Sequence, residues 1–548
     1  MGKHKFLRNL IIIIAAVIAL GVYYYVTIPA VNIHSSGTWG VIFLLVIFLL
    51  LISLVKHFRK NSAASVEGVN KLHFRIKEVS LVTKALGILL IVLFLIYAVG
   101  YLLSSPFFNA AKYQSLLNIE ERVFTEDIKE VDYQTIPLLD KDSAAILGNR
   151  KMGSMVDMVS QFEVTSDYSQ INYKGKPVRV TPLTYASPIK WLTNQKNGIP
   201  AYILIDMTTQ DTECVKLEEG IKYSKGEYFN RNIYRHLRFN YPTYIFADQI
   251  FFEIDDEGTP YWVCPVKKFN IGLFGGQTIG RVVLCNAQTG ECIDYAVEDV
   301  PAWIDKVFSA ELLIDLYDYS GLLKHGFWNS LLGQKDCLQS TNGYNYIALD
   351  DDVWVYTGVT SVSGDQSNVG FVLMNQRTME TRYYKVEGAI EDSAMSSAEG
   401  QVQNLGYKAT FPLLLNIADE PTYFMALKDG AGLVKKYAMV NVQKYQWVAI
   451  GDTVQECEKN YTELLNTNGI VSNLAEEAKN ITGKIESISP VVLEGNTHYY
   501  ICLENSEDIF DIDMQDTSLI QIVKYQVGDT VTFEYLEGYG LDQVTTIK

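Results

Sequence analysis

The chain has 548 residues, 48% of them hydrophobic, with 46 basic and 63 acidic side chains and a formal charge of −17. The charge is unevenly placed: the first 104 residues hold 10 basic and 2 acidic groups, leaving 36 basic against 61 acidic, or about −25, for residues 105–548. So acidic a remainder disfavours nucleic acid and anionic lipid as partners, because both are bound through clustered Lys and Arg.

Residues 10–28, 39–55 and 85–103 form three apolar runs without a charged side chain. Each has about the length an α-helix needs to cross some 30 Å of hydrocarbon, so three N-terminal transmembrane helices are expected. The first run follows Lys3, Lys5 and Arg8 but is too long for a signal peptide, and no small-x-small cleavage site follows it. Between the second and third runs lie Lys56, Arg59, Lys60, Lys71, Arg75, Lys77 and Lys84 against Glu67 and Glu78, whereas residues 29–38 carry no formal charge. The positive-inside rule then puts the N-terminus and the second loop in the cytoplasm and residues 105–548 outside. The expected location is a multi-pass protein of the cell membrane. Without a charged side chain in any run, the helices read as an anchor, not an ion path.

Residues 105–130 have apolar positions three and four apart and are expected to form a juxtamembrane helix. Two α+β regions, 131–300 and 301–450, should follow. Their short segments are rich in aromatic and β-branched residues, with turn signals at residues 255–258, Thr289-Gly290 and 341–343. Helical spacing is expected over 300–323 and 391–405, with Gly406 ending the second. A helical connector spans 451–480: Thr453 and Glu456 fit a capping box, and Val454, Cys457, Tyr461 and Leu464 share one face. Residues 481–548 supply five short strand candidates.

A plan recurs in the exterior: a strand opening with Pro and Tyr, a turn, a strand ending in Asn or Asp, a turn, a further strand. Pro260, Tyr261 and Asn286 carry it over about 258–295, and Pro421, Tyr423 and Asn441 over about 420–450, with Pro200 and Tyr202 a third start. This resembles the strand plan of PepSY-type modules, small extracytoplasmic α+β units, and implies no catalytic signature. The five terminal strands resemble an OB-type barrel, which implies oligonucleotide or sugar binding in some members. Here the acidic surface points to a structural or protein-contact role. The expected fold is therefore α+β: three membrane helices, a mostly antiparallel exterior of repeated modules, and a small C-terminal OB-like β-barrel.

All seven cysteines lie after residue 104. Cys285 and Cys292 flank residues 286–291 symmetrically, so in a hairpin they would face each other, either as a cross-strand disulfide or as two half-buried thiols. Asp350, Asp351 and Asp352 precede a strand and are weak candidates for a hard cation, against a solvated turn. The glycines at 272, 275, 276 and 280 lack the following helix that a phosphate loop needs, and read as a hairpin tip. His236, His325 and His498 show no zinc-hydrolase spacing, and Cys337 with His325 has no local support as a nucleophile and base. Trp303 and Trp328 read as core anchors, with a contact surface as the alternative if they are exposed. No cofactor and no catalytic residue is expected. The expectation is a non-enzymatic, self-assembling binding or scaffolding protein of the cell envelope, in contact with the bilayer and other envelope proteins. A cell-wall or peptide hydrolase and an oligomeric channel or transport-complex component stand as alternatives.

Overall fold

The computed structural model describes residues 2–548 except 63–79, 130–135, 138, 350, 363–366, 471–478, 494–495, 505, 507, 515–516 and 537–540. The chain divides into two compact units, Met1–Tyr461 and Thr462–Lys548.

Three helices open the chain: α1 (Gly2–Thr27), α2 (Ser36–Ser62) and α3 (Leu81–Leu103). Runs of Leu, Ile and Val without Pro leave nothing to interrupt the hydrogen-bond ladder. Ser80 caps α3 by accepting the Thr83 N–H, so this helix starts four residues before the apolar run. Two stretches, Ser36–Lys56 and Leu81–Leu103, are long and apolar enough to cross a bilayer. The third expected span is not matched: α1 is helical throughout, but its described apolar stretch, Val17–Thr27, is too short by the same measure. Helices α2 and α3 pack through Ser53 Oγ against Thr83 Oγ1 at 2.6 Å and through Trp39 and Phe43 against the Tyr97 ring.

The expected helix over 105–130 is only partly present. Helix α4 (Pro106–Gln114) ends early, and Ile119–Arg122 becomes a strand paired in parallel with Thr381–Tyr384. Leu117 and Phe124, spaced as for a helix, are buried on either side of that strand, so tertiary pairing overrides the local period. The helix expected over 300–323 starts later, at Ala310, with Ser309 as its cap. Residues before it wrap instead around Glu253, whose buried carboxylate accepts the N–H groups of Asp305 and Lys306 at 3.0 Å each. A helix at Glu391–Gln401 and another at Val454–Thr467 match expectation; the rest of the 451–480 connector lies largely outside the described residues.

The strands of the first unit form mostly antiparallel sheets. The one that positions the site is a four-stranded meander of Phe251–Ile254, Pro260–Ile271, Gly275–Asn286 and Cys292–Ala296. Its side chains alternate as a strand requires. Trp262, Cys264, Val283 and Cys285 join the core under the sheet of residues 162–221, while Val263, Val282 and Leu284 join the core containing Leu313, Leu316 and Val355. Around Trp262 and Cys285 both faces are therefore dry, and regions 131–300 and 301–450 share this sheet.

One turn is repeated four times. The side chains of Asp206, Asn286, Asn375 and Asn441 each accept the backbone N–H groups two and three residues on. In the first three copies the residue four positions on (Gln210, Gly290 or Met379) has positive φ. The repeat read from Asn286, Asn441 and the third start that leads to Asp206 is thus present in four copies among the described residues, including one around Asn375.

The second unit contains a closed five-stranded barrel, with Lys479–Leu493 paired to both Asn496–Leu503 and Thr530–Leu536, and Ile509–Asp513 parallel to Asp542–Ile547. Ile501, Phe510, Ile512 and Phe533 fill it.

The repeated turn makes a prediction about stability. Asp206→Ala leaves the N–H groups of Thr208 and Thr209 without their acceptor and should cost about 1–2 kcal/mol, read as a lower urea midpoint at unchanged slope. Asp206→Asn keeps the acceptor and should lose less than half of that. Equal losses would show that charge, not the turn, matters there.

Candidate functional site

The helix Ile233–Asn240 lies between two partners. Its Arg235 and Arg238 face the end of α1: Arg238 Nε donates to the Ile28 carbonyl at 2.9 Å, and the Arg235 guanidinium lies 5.0 Å from the centre of the Tyr25 ring. Its His236 faces the 286–291 turn. There Nε2 lies 2.7 Å from the Gly290 carbonyl and, since a carbonyl only accepts, must carry the proton. Gly290 is required twice over: its φ is +78°, and a Cβ would meet the Tyr223 ring at 2.4 Å.

Beside that turn, His236, Cys285 and Cys292 bring an imidazole nitrogen and two sulfurs within 4.8 Å of one another. Cys285 and Cys292 are direct partners across the hairpin. Asn286 N–H donates to the Glu291 carbonyl, so the neighbouring cysteine pair occupies a non-hydrogen-bonded position. At such positions Cα atoms stand about 4.5 Å apart, within the range a disulfide spans. Both residues are thiols in this structure. Cys285 is fully buried next to Trp262 in the register, while Cys292 is half-buried, with Tyr241 Oη 3.4 Å from its carbonyl.

The sulfurs are electrostatically unequal. The hydrogen bond with Cys285 and the contact with His236 outweigh burial and hold the Cys292 thiol down at about 6. The same pairing, with burial, pushes Cys285 far up. Burial opposes protonation of His236, but its bonds to Cys292 and to the Gly290 carbonyl win and raise it. The arrangement is a lowered thiol beside an imidazole whose protonated form is favoured, with a second, raised thiol behind it.

The same hairpin position is apolar or hydroxylic in the other three repeats: Ile205 opposite Thr212, Met374 opposite Thr381, and Val440 opposite Val448. The turn folds without cysteines, so the thiol pair is an addition to the plan.

The remaining singled-out residues fall elsewhere. Asp350 lies outside the described residues. Asp351 accepts from Asn172 Nδ2 at 2.6 Å, and buried Asp352 is bound bidentately by Arg377 and by Asn375. His325 pairs with Asp336 at 3.0 Å, while the buried Cys337 sulfur lies against the Leu322 carbonyl and Asn329. His498 pairs with Asp511 in the barrel. Trp303 packs on Tyr261, but Trp328 is 61% exposed and is no core anchor. The tip at residues 272–275 is not free: Ser104 Oγ, at the end of α3, accepts the N–H groups of Leu273 and Phe274. His236 was invisible as part of a site, because nothing in the sequence links it to a turn 54 residues further on.

Compared with protein-family models and with curated proteins, the chain matches none.

The thiolate predicts a reactivity profile. Iodoacetamide should alkylate Cys292 in the detergent-solubilised chain with a midpoint near about 6, against about 8.5 for an ordinary thiol. Reactivity should fall as pH drops through that midpoint. A midpoint above 8 would show that His236 does not hold the thiolate.

Proposed function

We propose that the chain is a membrane-anchored, extracytoplasmic binding or scaffolding protein of the cell envelope, with three spans and a cytoplasmic N-terminus. One observation carries the reading: the body is seated directly on the ends of the helices at Ile28 and Ser104. Leu273 lies so close to Gly100 in α3 that a Cβ there would meet it at 2.8 Å. Phe274 packs between Tyr97 and Tyr101, and Val31 N–H, in the α1–α2 loop, donates to the Pro242 carbonyl at 2.7 Å. Such a seat fixes the height and orientation of a domain, which suits a scaffold.

A second feature supports the membrane part. Phe107 and Phe108, just beyond α3, and Trp328, Leu331 and Leu332 are all exposed, and Phe107 packs edge-on against Phe327 and Trp328. Aromatic rings at this level are where a bilayer interface would take them up. The acidic surface suits a basic partner, the terminal barrel suits an OB-like contact module, and self-assembly is part of the proposal.

Topology reporters test it. An alkaline-phosphatase-type fusion after Lys548 should be active outside the cytoplasm, and one after Ser62 inactive; the reverse pattern would overturn the orientation. The seat has its own test. Gly100→Val should speed protease cleavage within residues 270–277 severalfold. Gly87→Val, whose Cβ has nothing within 4 Å, should not. Equal behaviour of the two variants would mean that the tip does not rest on α3.

A further inference from the structure

We propose that Cys292 and Cys285 form a thiol–disulfide exchange site, with Cys292 the attacking sulfur, Cys285 the resolving sulfur and His236 the proton holder. The substrate class is an accessible disulfide. The chemistry is independent of which side of a membrane the body occupies.

Geometry assigns the order. Cys292 is half-buried and Cys285 fully buried, so an incoming disulfide reaches Cys292 first. The pair stands at a non-hydrogen-bonded register position, so closing an S–S bond there needs no change in strand pairing. The imidazole nitrogen lies within 4.8 Å of both sulfurs, in reach of the proton each step must move. His236 itself is held by the Gly290 carbonyl on one side and by the Tyr223 ring, 4.4 Å away, on the other. The three sister turns lack a thiol at these positions, so packing alone does not ask for one. The titratable groups facing Cys292 are Cys285 and Cys264 from the sheet, His236 and Tyr241 from the helix side, and Glu291 from its own turn.

The steps balance. The Cys292 thiolate attacks one sulfur of R–S–S–R, the old S–S bond breaks, and RS⁻ leaves with the proton from the His236 imidazolium. Cys285 then gives its proton to the now neutral imidazole and attacks the Cys292 sulfur of the mixed disulfide. The second RS⁻ leaves and takes that proton. Two protein thiols lose two electrons and the substrate becomes two RSH. Run backwards, the same site oxidises a dithiol. Because a depressed thiol is also a weaker nucleophile, the gain from His236 is concentrated at low pH.

The reduced full-length chain in detergent, exposed to glutathione disulfide, acid-quenched and peptide-mapped, tests this. Wild type should pass through a transient glutathione adduct on Cys292 to a Cys285–Cys292 disulfide, releasing two glutathione thiols per chain. Cys285→Ser should stop at the adduct, and Cys292→Ser should form neither product. His236→Gln, in the Cys285→Ser background, should slow adduct formation about tenfold at pH 6, with the gap closing towards pH 8.5. A merely structural role for His236 would slow it equally at every pH. The wild-type time course decides even if a variant fails to fold. A persistent adduct in wild type would overturn the assignment. So would Cys292 reacting no faster than Cys214 and Cys502, the other partly exposed thiols. Retention of one equivalent of Zn²⁺ by the reduced chain, with exchange abolished, would overturn it in favour of a metal site.

Discussion

The sheet of residues 251–296 is covered on both faces, and most of the first unit depends on that double burial. Strand alternation sends Trp262 and Cys285 one way and Val282 and Leu284 the other, and each set closes a separate core. Where the two cores meet it, around Trp262 and Cys285, the sheet has no free face. Towards Phe251, Pro265, Lys267, Gln277 and Thr278 it borders a cavity of about 300 Å³. One end, at Leu273 and Phe274, meets α3; the other, at Cys285 and Cys292, meets His236. The strand Gly275–Asn286 covers twelve residues, or roughly 40 Å when extended.

Buried polar groups keep that sheet in register with its neighbours. Glu253 accepts two backbone N–H groups that its own strand cannot supply, and Asp305 accepts the Asn172 N–H at 2.6 Å. Lys306, equally buried, lies 4.6 Å from the centre of the Tyr346 ring. Desolvation raises the carboxyls, Glu253 to about 7, and lowers Lys306 to about 8. An apolar replacement of similar size would fill the space, but would leave the N–H groups of residues 305 and 306 without an acceptor.

What could be read from the sequence follows how far each cause reaches along the chain. The apolar stretches behind α2 and α3, the five barrel strands and the cap at Thr453 are local, and each was legible. The symmetry of Cys285 and Cys292 about a turn was legible for the same reason. Residues 105–130 were misread because Leu117 and Phe124 have helical spacing, while the strand between them is made by a partner at residues 381–384. For Trp328 the sequence left a core anchor and a contact surface open, because a large aromatic ring has the same letter in both; its exposure excludes the core. The four-copy turn was legible in three copies: Asn286 and Asn441 stood out, the strand from Pro200 led to Asp206, and Asn375 did not show, since its strands lack the Pro and Tyr opening. His236 carried no signal, because the contact that matters is made by the fold alone.

The seat on the helix ends also sets an order of events during synthesis. Ser104 ends α3, yet the backbone it holds lies 169 residues later, and Tyr25 meets Asn230 across 205. A chain made from its N-terminus has its helices complete long before either contact is possible. In the proposed topology the nascent body would therefore cross the membrane on a loose stalk, and would lock down only when residue 274 emerges. Until then Leu273, Phe274 and the rings at Tyr97 and Tyr101 have no partner in each other. That interval is when a folding helper would find most to bind.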